Sequence, residues 1–260
     1  MTAAGLGRVA RRLVGVGVLV AAFGVWEAWA RSEGSFLVPS ASVVAERAWQ
    51  VWPTGGFLST VAESLWRLAA GYAIGAVVGI GLGLLVGSSR GARRTLEPLV
   101  ESSRAIPPIA VVPALIVILG LDDAMRVAVI AFGVCFPVLV NTLDGVRGIP
   151  PEARDTATML DLGRAARILR VNLPAALPSI VAGLRVALPI GLVMVVVSEF
   201  TGGGDGLGHY ILLQQSQFDI PEMYAGILFL GLLGYALNHA FLLAERRVLA
   251  WHHGATGEPA

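Results

Sequence analysis

The chain has 260 residues, 55% of them hydrophobic and only 14% charged, where a soluble domain carries about 25% charged residues. Its apolar runs approach the ~20 residues that cross a bilayer, which excludes an ordinary soluble globule and indicates a multi-span membrane protein. A net charge of +1 gives no electrostatic footprint for nucleic acid. The single cysteine, Cys135, makes neither an internal disulfide nor a cysteine metal cluster, and no metal site is expected.

The expected fold is an all-α, polytopic membrane bundle with six spans, at about 12–30, 66–87, 99–119, 124–143, 178–200 and 223–245. The N-terminus, "RVARRLVGVGVLVAAFGVWEAWA", has the basic start of a signal peptide. Trp26, Glu27 and Trp29 stand where a small-residue cleavage site would be, so it reads as a retained first span. In the stretch that follows, Pro39 and Ser40 of "FLVPSASVVAERAWQVW" mark a turn before a short amphipathic helix. Gly71, Gly75 and Gly79 of the second span recur every fourth residue on one helix face, a spacing that admits close helix approach.

Prolines interrupt the third span at Pro107, Pro108 and Pro113, and the fifth at Pro189. Each frees a backbone carbonyl that must be satisfied or line a cavity, so spans three and five are expected to line a pathway. Arg185 and Glu199 lie near the ends of the fifth span. Ionisable residues there suggest function, although snorkelling at span ends is cheap, and structural or gating roles are favoured over ligand contact. Pro107, Pro113, Arg185 and Glu199 are therefore the candidate pathway or gating residues. The next connection opens as "TGGGDGLG". A nucleotide P-loop needs a Lys, and all the basic residues here are Arg, so the glycines are expected to form a flexible turn.

The arginines set the orientation. Arg8, Arg11, Arg12, Arg90, Arg93, Arg94, Arg147, Arg154, Arg164, Arg167, Arg170, Arg246 and Arg247 fall on one side, against Arg31 and Arg47 on the other. By the positive-inside rule both termini are expected in the cytoplasm, together with the charged segment 150–174. Pro150-Pro151 opens a helix there, with Glu152 and Asp155 near its positive end. Ala153, Ala157 and Leu160 share one apolar face. Gly163 weakens the helix, and a second short helix with Arg164, Arg167 and Arg170 follows. Leu173-Pro174 and Pro178 are expected to end the segment before the next span. Two readings stay open on these grounds: a helix pair lying in the lipid headgroups, or a docking element for a cytoplasmic partner.

This segment resembles the "EAA" loop of ABC importer permeases. Anchored on Leu173-Pro174, the resemblance puts Asp155 at the motif acid, Thr156 and Ala157 at the two alanines, and Asp161 at the glycine that turns the chain. Gly163 is a candidate to take over that turn. Over about residues 36–250, "RAIPPIAVVPALIVILGL", "FPVLVNTLDGVRGIPPE", "LPAALPSIVAGLRVALPIGLVMVVVSEFTGGGDGLGHYI" and "ERRVLAWH" are similar to permeases of the sulfonate, taurine and nitrate importer group.

The resemblance implies a type I ABC importer permease fold: a single transmembrane domain over 1–260, with its core at about 66–247 and the 150–174 segment coupling it to ATP. It implies a homodimer in the bacterial inner membrane, two cytoplasmic ATPase subunits, an outside substrate-binding protein and a small anionic solute. No cofactor is expected, since ATP would be bound by the partner. The coupling residues would be Asp155, Thr156, Ala157, Leu160, Asp161, Gly163, Leu173 and Pro174. An ion-coupled secondary transporter, which would favour mid-depth acids in interrupted helices, is the alternative. An intramembrane hydrolase lacks G-x-S-x-G and H-E-x-x-H motifs.

Overall fold

The computed structural model describes the backbone of residues 3–202 and 204–250, and side chains from residue 17 on, apart from 19, 90, 92, 93, 97, 99, 104, 154 and 202. The side chains of Arg8, Arg11, Arg12, Arg90, Arg93 and Arg154, which carry part of the orientation argument, lie outside that set, as does the chain beyond residue 250. The described elements are all helical. They are α1 (Ala3–Glu33), α2 (Ala41–Val51), α3 (Gly55–Ser88), α4 (Arg90–Arg104), a 3₁₀ turn (Pro108–Val111), α5 (Val112–Leu119) and α6 (Asp123–Arg147). After these come α7 (Pro151–Met159), α8 (Arg164–Arg167), a π turn (Ile168–Asn172), α9 (Leu173–Gly202), α10 (Leu207–Ser216) and α11 (Ile220–Val248).

Among the described residues, four stretches are long and apolar enough to cross a membrane: Gly55–Ser88, Asp123–Arg147, Arg164–Thr201 and Ile220–Val248. A fifth is broken, its halves Arg94–Ser103 and Pro108–Leu119 meeting at 91°. The first expected span lies within α1. The third expected span is thus two pieces. A residue before proline is pushed out of the α region, and consecutive Pro107 and Pro108 end the helix instead of bending it. The fifth differs in the opposite sense: Leu173-Pro174 does not stop the helix. The Leu173 N–H bonds the Ile168 carbonyl, five residues back. This π geometry lets Pro174 enter the first turn of α9, where a missing N–H costs little.

The chain divides into two compact units. One comprises Met1–Ser59 with Tyr210–Leu230. Here the expected helix after Ser40 is α2, and the Glu27 carboxylate caps it by accepting from Ser42 N (2.9 Å) and Ser42 Oγ (2.8 Å). Phe57 packs edge-on to Tyr210 and Phe229, with ring centroids 5.2 and 4.9 Å apart. Arg47 lies 3.5 Å from Asp219, and the Tyr210 hydroxyl donates to Glu222 at 2.6 Å. Burial, then that bond, pushes the Tyr210 phenol above its ordinary pKa.

The other unit comprises Thr60–His209 with Gly231–Ala260. Its core is α6, whose Met125, Val129, Ile130, Val134 and Val138 are buried. The expected close approach is present. A Cβ at Gly71, Gly75 or Gly79 would overlap Ile130, the Ala131 carbonyl or the Cys135 carbonyl respectively, and Gly83 and Gly87 extend the stripe against Thr142 and Val146. α9 packs on α6 as well: a Cβ at Gly183 would strike Asn141, and one at Gly133 would strike Met194.

Candidate functional site

The segment after α6 folds as α7, a tight turn and α8. α7 closes in a Schellman arrangement, with the Leu162 N–H on the Ala157 carbonyl (3.2 Å) and the Asp161 N–H on that of Thr158 (3.0 Å). This motif needs a left-handed residue, for which glycine is favoured. Asp161 adopts it, at φ 45°. Gly163, at φ −58°, has a backbone any residue can adopt. The turn therefore stays at the position where the resemblance puts a glycine, and Gly163 does not take it over.

The expected apolar stripe divides. Ala157 is only 2% exposed, and Ala153 packs on the cluster of Leu84, Val146, Ile149, Ala176 and Ile180, so both face their own chain. Leu160 is 66% exposed and its neighbour Met159 is 87% exposed. Asp155 and Thr156 are exposed, and the Thr156 hydroxyl donates back to the Glu152 carbonyl at 2.8 Å. Arg167 is half-buried and donates to Thr158 Oγ1 at 3.3 Å, clasping the two short helices together. The buried Asn172 donates to Ser88 Oγ at 2.8 Å, tying the π turn to the end of α3. Leu173 packs on the same apolar cluster as Ala153, and Pro174 is exposed.

At the far end of α9 sits Glu199, wholly buried. Its carboxylate accepts from Arg67 Nη1 (3.1 Å), from Ser64 Oγ (2.8 and 3.0 Å) and from Gly208 N at the start of α10 (2.8 Å). Arg67, 3% exposed, also donates to Asp123 Oδ1 (2.8 Å) and to the Asp205 carbonyl (2.7 Å), and Arg126 donates to that same Asp123 oxygen (2.9 Å). Leu207 N donates to Ser64 Oγ at 2.7 Å. Gly206, at φ 120°, lies so close that a Cβ there would overlap the Glu199 carboxylate. The expected flexible turn is thus pinned over 205–208. A buried charge is tolerated only when paired and hydrogen-bonded; for Glu199 the pairing comes from Arg67, the Ser64 hydroxyl and the Gly208 amide.

The remaining candidates scatter. Arg185 is half-exposed within α9, 3.7 Å from Glu245 of α11. Pro107 and Pro113 are exposed. Pro108 lines a cavity of about 490 Å³ with Ile106, Gly133, Phe136, Asn141 and Met194 among its walls. Sequence reasoning missed Ser64, Arg67, Asp123, Arg126 and Asn141. Arg67 carried the clearest signal, an ionisable residue inside an apolar run. Its hydrogen-bond partners Asp123, Glu199 and Asp205 are brought in from distant parts of the chain, and no local pattern marks them. Among the described residues no group of His, Cys, Asp and Glu could hold a metal ion.

Residues 75–249 match the family model of the binding-protein-dependent transport system inner membrane component. The chain is 33% identical over 194 residues to the aliphatic sulfonates transport permease protein SsuC of Bacillus subtilis, covering 75% of this chain and 70% of that one. It is 30% identical over 251 residues to the nitrate import permease protein NrtB of Synechocystis (93% and 90% covered). To the bicarbonate transport system permease protein CmpB of Synechococcus elongatus it is 33% identical over 196 residues (75% and 70% covered). Among solved structures, an inward-facing form of the MetNI methionine ABC transporter superposes with a TM-score of 0.61 at 22% identity, over 72% of this chain and 93% of that one. The fold is that of ABC transporter permeases, and the chain belongs to the binding-protein-dependent transport system inner membrane components, the non-enzymatic permease subunits of ABC transporters whose ATPase is a separate subunit.

Proposed function

We propose that this chain is the permease of an ATP-driven importer for a small anion of the sulfonate, taurine or nitrate class. It works as a homodimer in the bacterial inner membrane with both termini cytoplasmic. A binding protein delivers solute from outside, and two ATPase subunits dock on the 151–172 segments. The observation that carries the coupling role is the Met159–Leu160 edge. These large apolar side chains stand exposed at a rigid Schellman turn, while the rest of the helix pair is tied to its own bundle through Ala157 and Asn172. Exposed apolar surface held on a firm support is what a partner's groove requires. The anionic solute is supported by the names of the relatives. An ion-coupled carrier would need a free acid at depth, whereas Glu199 is engaged by Arg67, Ser64 and Gly208.

The test compares Met159→Glu and Leu160→Glu with the parent chain. Both variants insert in the membrane, since the change lies outside every span. Both lose recovery of the ATPase in a pull-down and lose ATP-driven uptake. Parental recovery and uptake in both would leave the segment as a surface helix without a coupling role.

A further inference from the structure

We infer that the cavity between Pro108, α6 and α9 is a solute subsite on the transport path, shaped for an organic molecule with an apolar body and one polar group, not for a bare inorganic oxyanion. The proposal deepens the importer reading and rests on it for the direction of transport.

The walls come from three places. Ile106 and Pro108 flank the break between α4 and α5; Gly133, Phe136, Pro137, Val140 and Asn141 come from α6; Val186, Ile190 and Met194 come from α9. The volume of about 490 Å³ falls in the range of small-molecule sites, and an inorganic oxyanion would fill only a small part of it. Among the described residues, no side chain in the wall is charged.

Two features make the cavity a wet path and not a lipid-filled groove. Pro137 sits inside α6 and has no N–H, so the carbonyl of Gly133, four residues earlier and also in the wall, loses its ordinary helical donor. Asn141, the only polar side chain in the wall among the described residues, donates once, to the Pro137 carbonyl at 2.8 Å. Its amide oxygen and second amide hydrogen are left to the cavity. Polar backbone and an open amide are costly against hydrocarbon but are tolerated where they line a water-filled space. The same inventory decides the ligand class. One amide is far too little to replace the water around a desolvated anion. An organic solute satisfies the site differently, resting its body on Phe136, Val140, Val186 and Ile190 and bonding Asn141, with any charged head kept in water.

The test uses the full chain in detergent with Cys135→Ser and Val140→Cys, which leaves one thiol in the cavity wall and Asn141 intact. The probe is sulfonatoethyl methanethiosulfonate, a water-soluble thiol reagent. Labelling is expected. 1-Butanesulfonate is expected to slow it about tenfold at ten times its half-maximal concentration, as occupancy of one site dictates, while nitrate at equal concentration leaves the rate unchanged. Adding Asn141→Leu is expected to weaken the butanesulfonate protection, read as the ratio of labelling rates with and without ligand in that variant. Absence of labelling would show a cavity closed to water and overturn the proposal. So would equal protection by nitrate, or protection untouched by Asn141→Leu. No step of the assay needs ATP, so a permease that fails ATP-driven uptake with its ATPase and binding protein defeats the importer reading without touching this one.

Discussion

The two ends of α9 are held by opposite means. At the 199–208 end, a wholly buried carboxylate, two buried arginines and the backbone amides of Leu207 and Gly208 close on one another, and the loop has little freedom left. At the 151–172 end, most charges are exposed. The helix pair is anchored by Ala157, one Arg167 clasp and one Asn172 bond, and it presents Met159 and Leu160 to the surroundings. Buried charges specify geometry because every alternative leaves one of them unpaired. An exposed apolar edge specifies little within its own chain and is free to be satisfied by another. One end is a clamp and the other a contact surface.

The largest effect is expected at the clamp. Glu199→Ala leaves Arg67 short of its buried partner and should cost about 3–5 kcal/mol, read as a lowered melting temperature in detergent. Replacing both partners, as Arg67→Met with Glu199→Leu, should recover part of that loss, because Asp123 keeps Arg126. If the double variant were no better than the single, the carboxylate's role would lie in holding Gly208 and Ser64 and not in charge pairing.

Ala157→Glu should come next. Ala157 faces its own chain, and a carboxylate there would be buried without a donor, at several kcal/mol. The variant should lose ATPase binding together with the fold of the segment, read as new proteolytic cleavage between 151 and 172. Leu160→Glu should lose ATPase binding without new cleavage. Matching cleavage in both variants would erase the distinction between anchor and contact.

Gly206→Ala should cost less, about 1–3 kcal/mol, through its left-handed backbone and its overlap with the Glu199 carboxylate. The measurement is again the melting temperature, with Gly204→Ala as the comparison. Gly204 shares a positive φ but lies against the end of the Arg126 side chain, which can give way, so its loss should be the smaller.

The smallest effect runs the other way. Asp161→Gly removes the strain of an aspartate at φ 45° and should stabilise the turn by up to about 1 kcal/mol, with uptake near the parental level. A clear loss of stability would mean that the aspartate side chain supports the turn.

Much of this protein was legible from residue order. Hydrophobic run length marks helices that must bond their own backbone in lipid, so the all-helical fold and most spans followed from local sequence. The every-fourth-residue glycines marked a packing face, and the resemblance put the motif's glycine position at Asp161 while leaving Gly163 as a candidate for the turn. These features live within one or a few turns of helix, where spacing alone fixes which side chains share a face.

Tertiary structure decided the rest. Pro107-Pro108 and Leu173-Pro174 look alike on paper; one ends a helix, while the other is absorbed by a π turn. Ala153, Ala157 and Leu160 share a helical stripe, yet only the surrounding bundle determines that two of them turn inward and one outward. The glycine-rich stretch reads as a flexible turn because glycine favours that. It is pinned because Ser64 and Arg67, far away in the chain, meet Glu199 beside it, with Asp123 holding Arg67 in place. A buried ion pair is a property of two positions and of the space between them. Periodicity along the chain records which face a residue occupies and carries no information about which distant charge will arrive there.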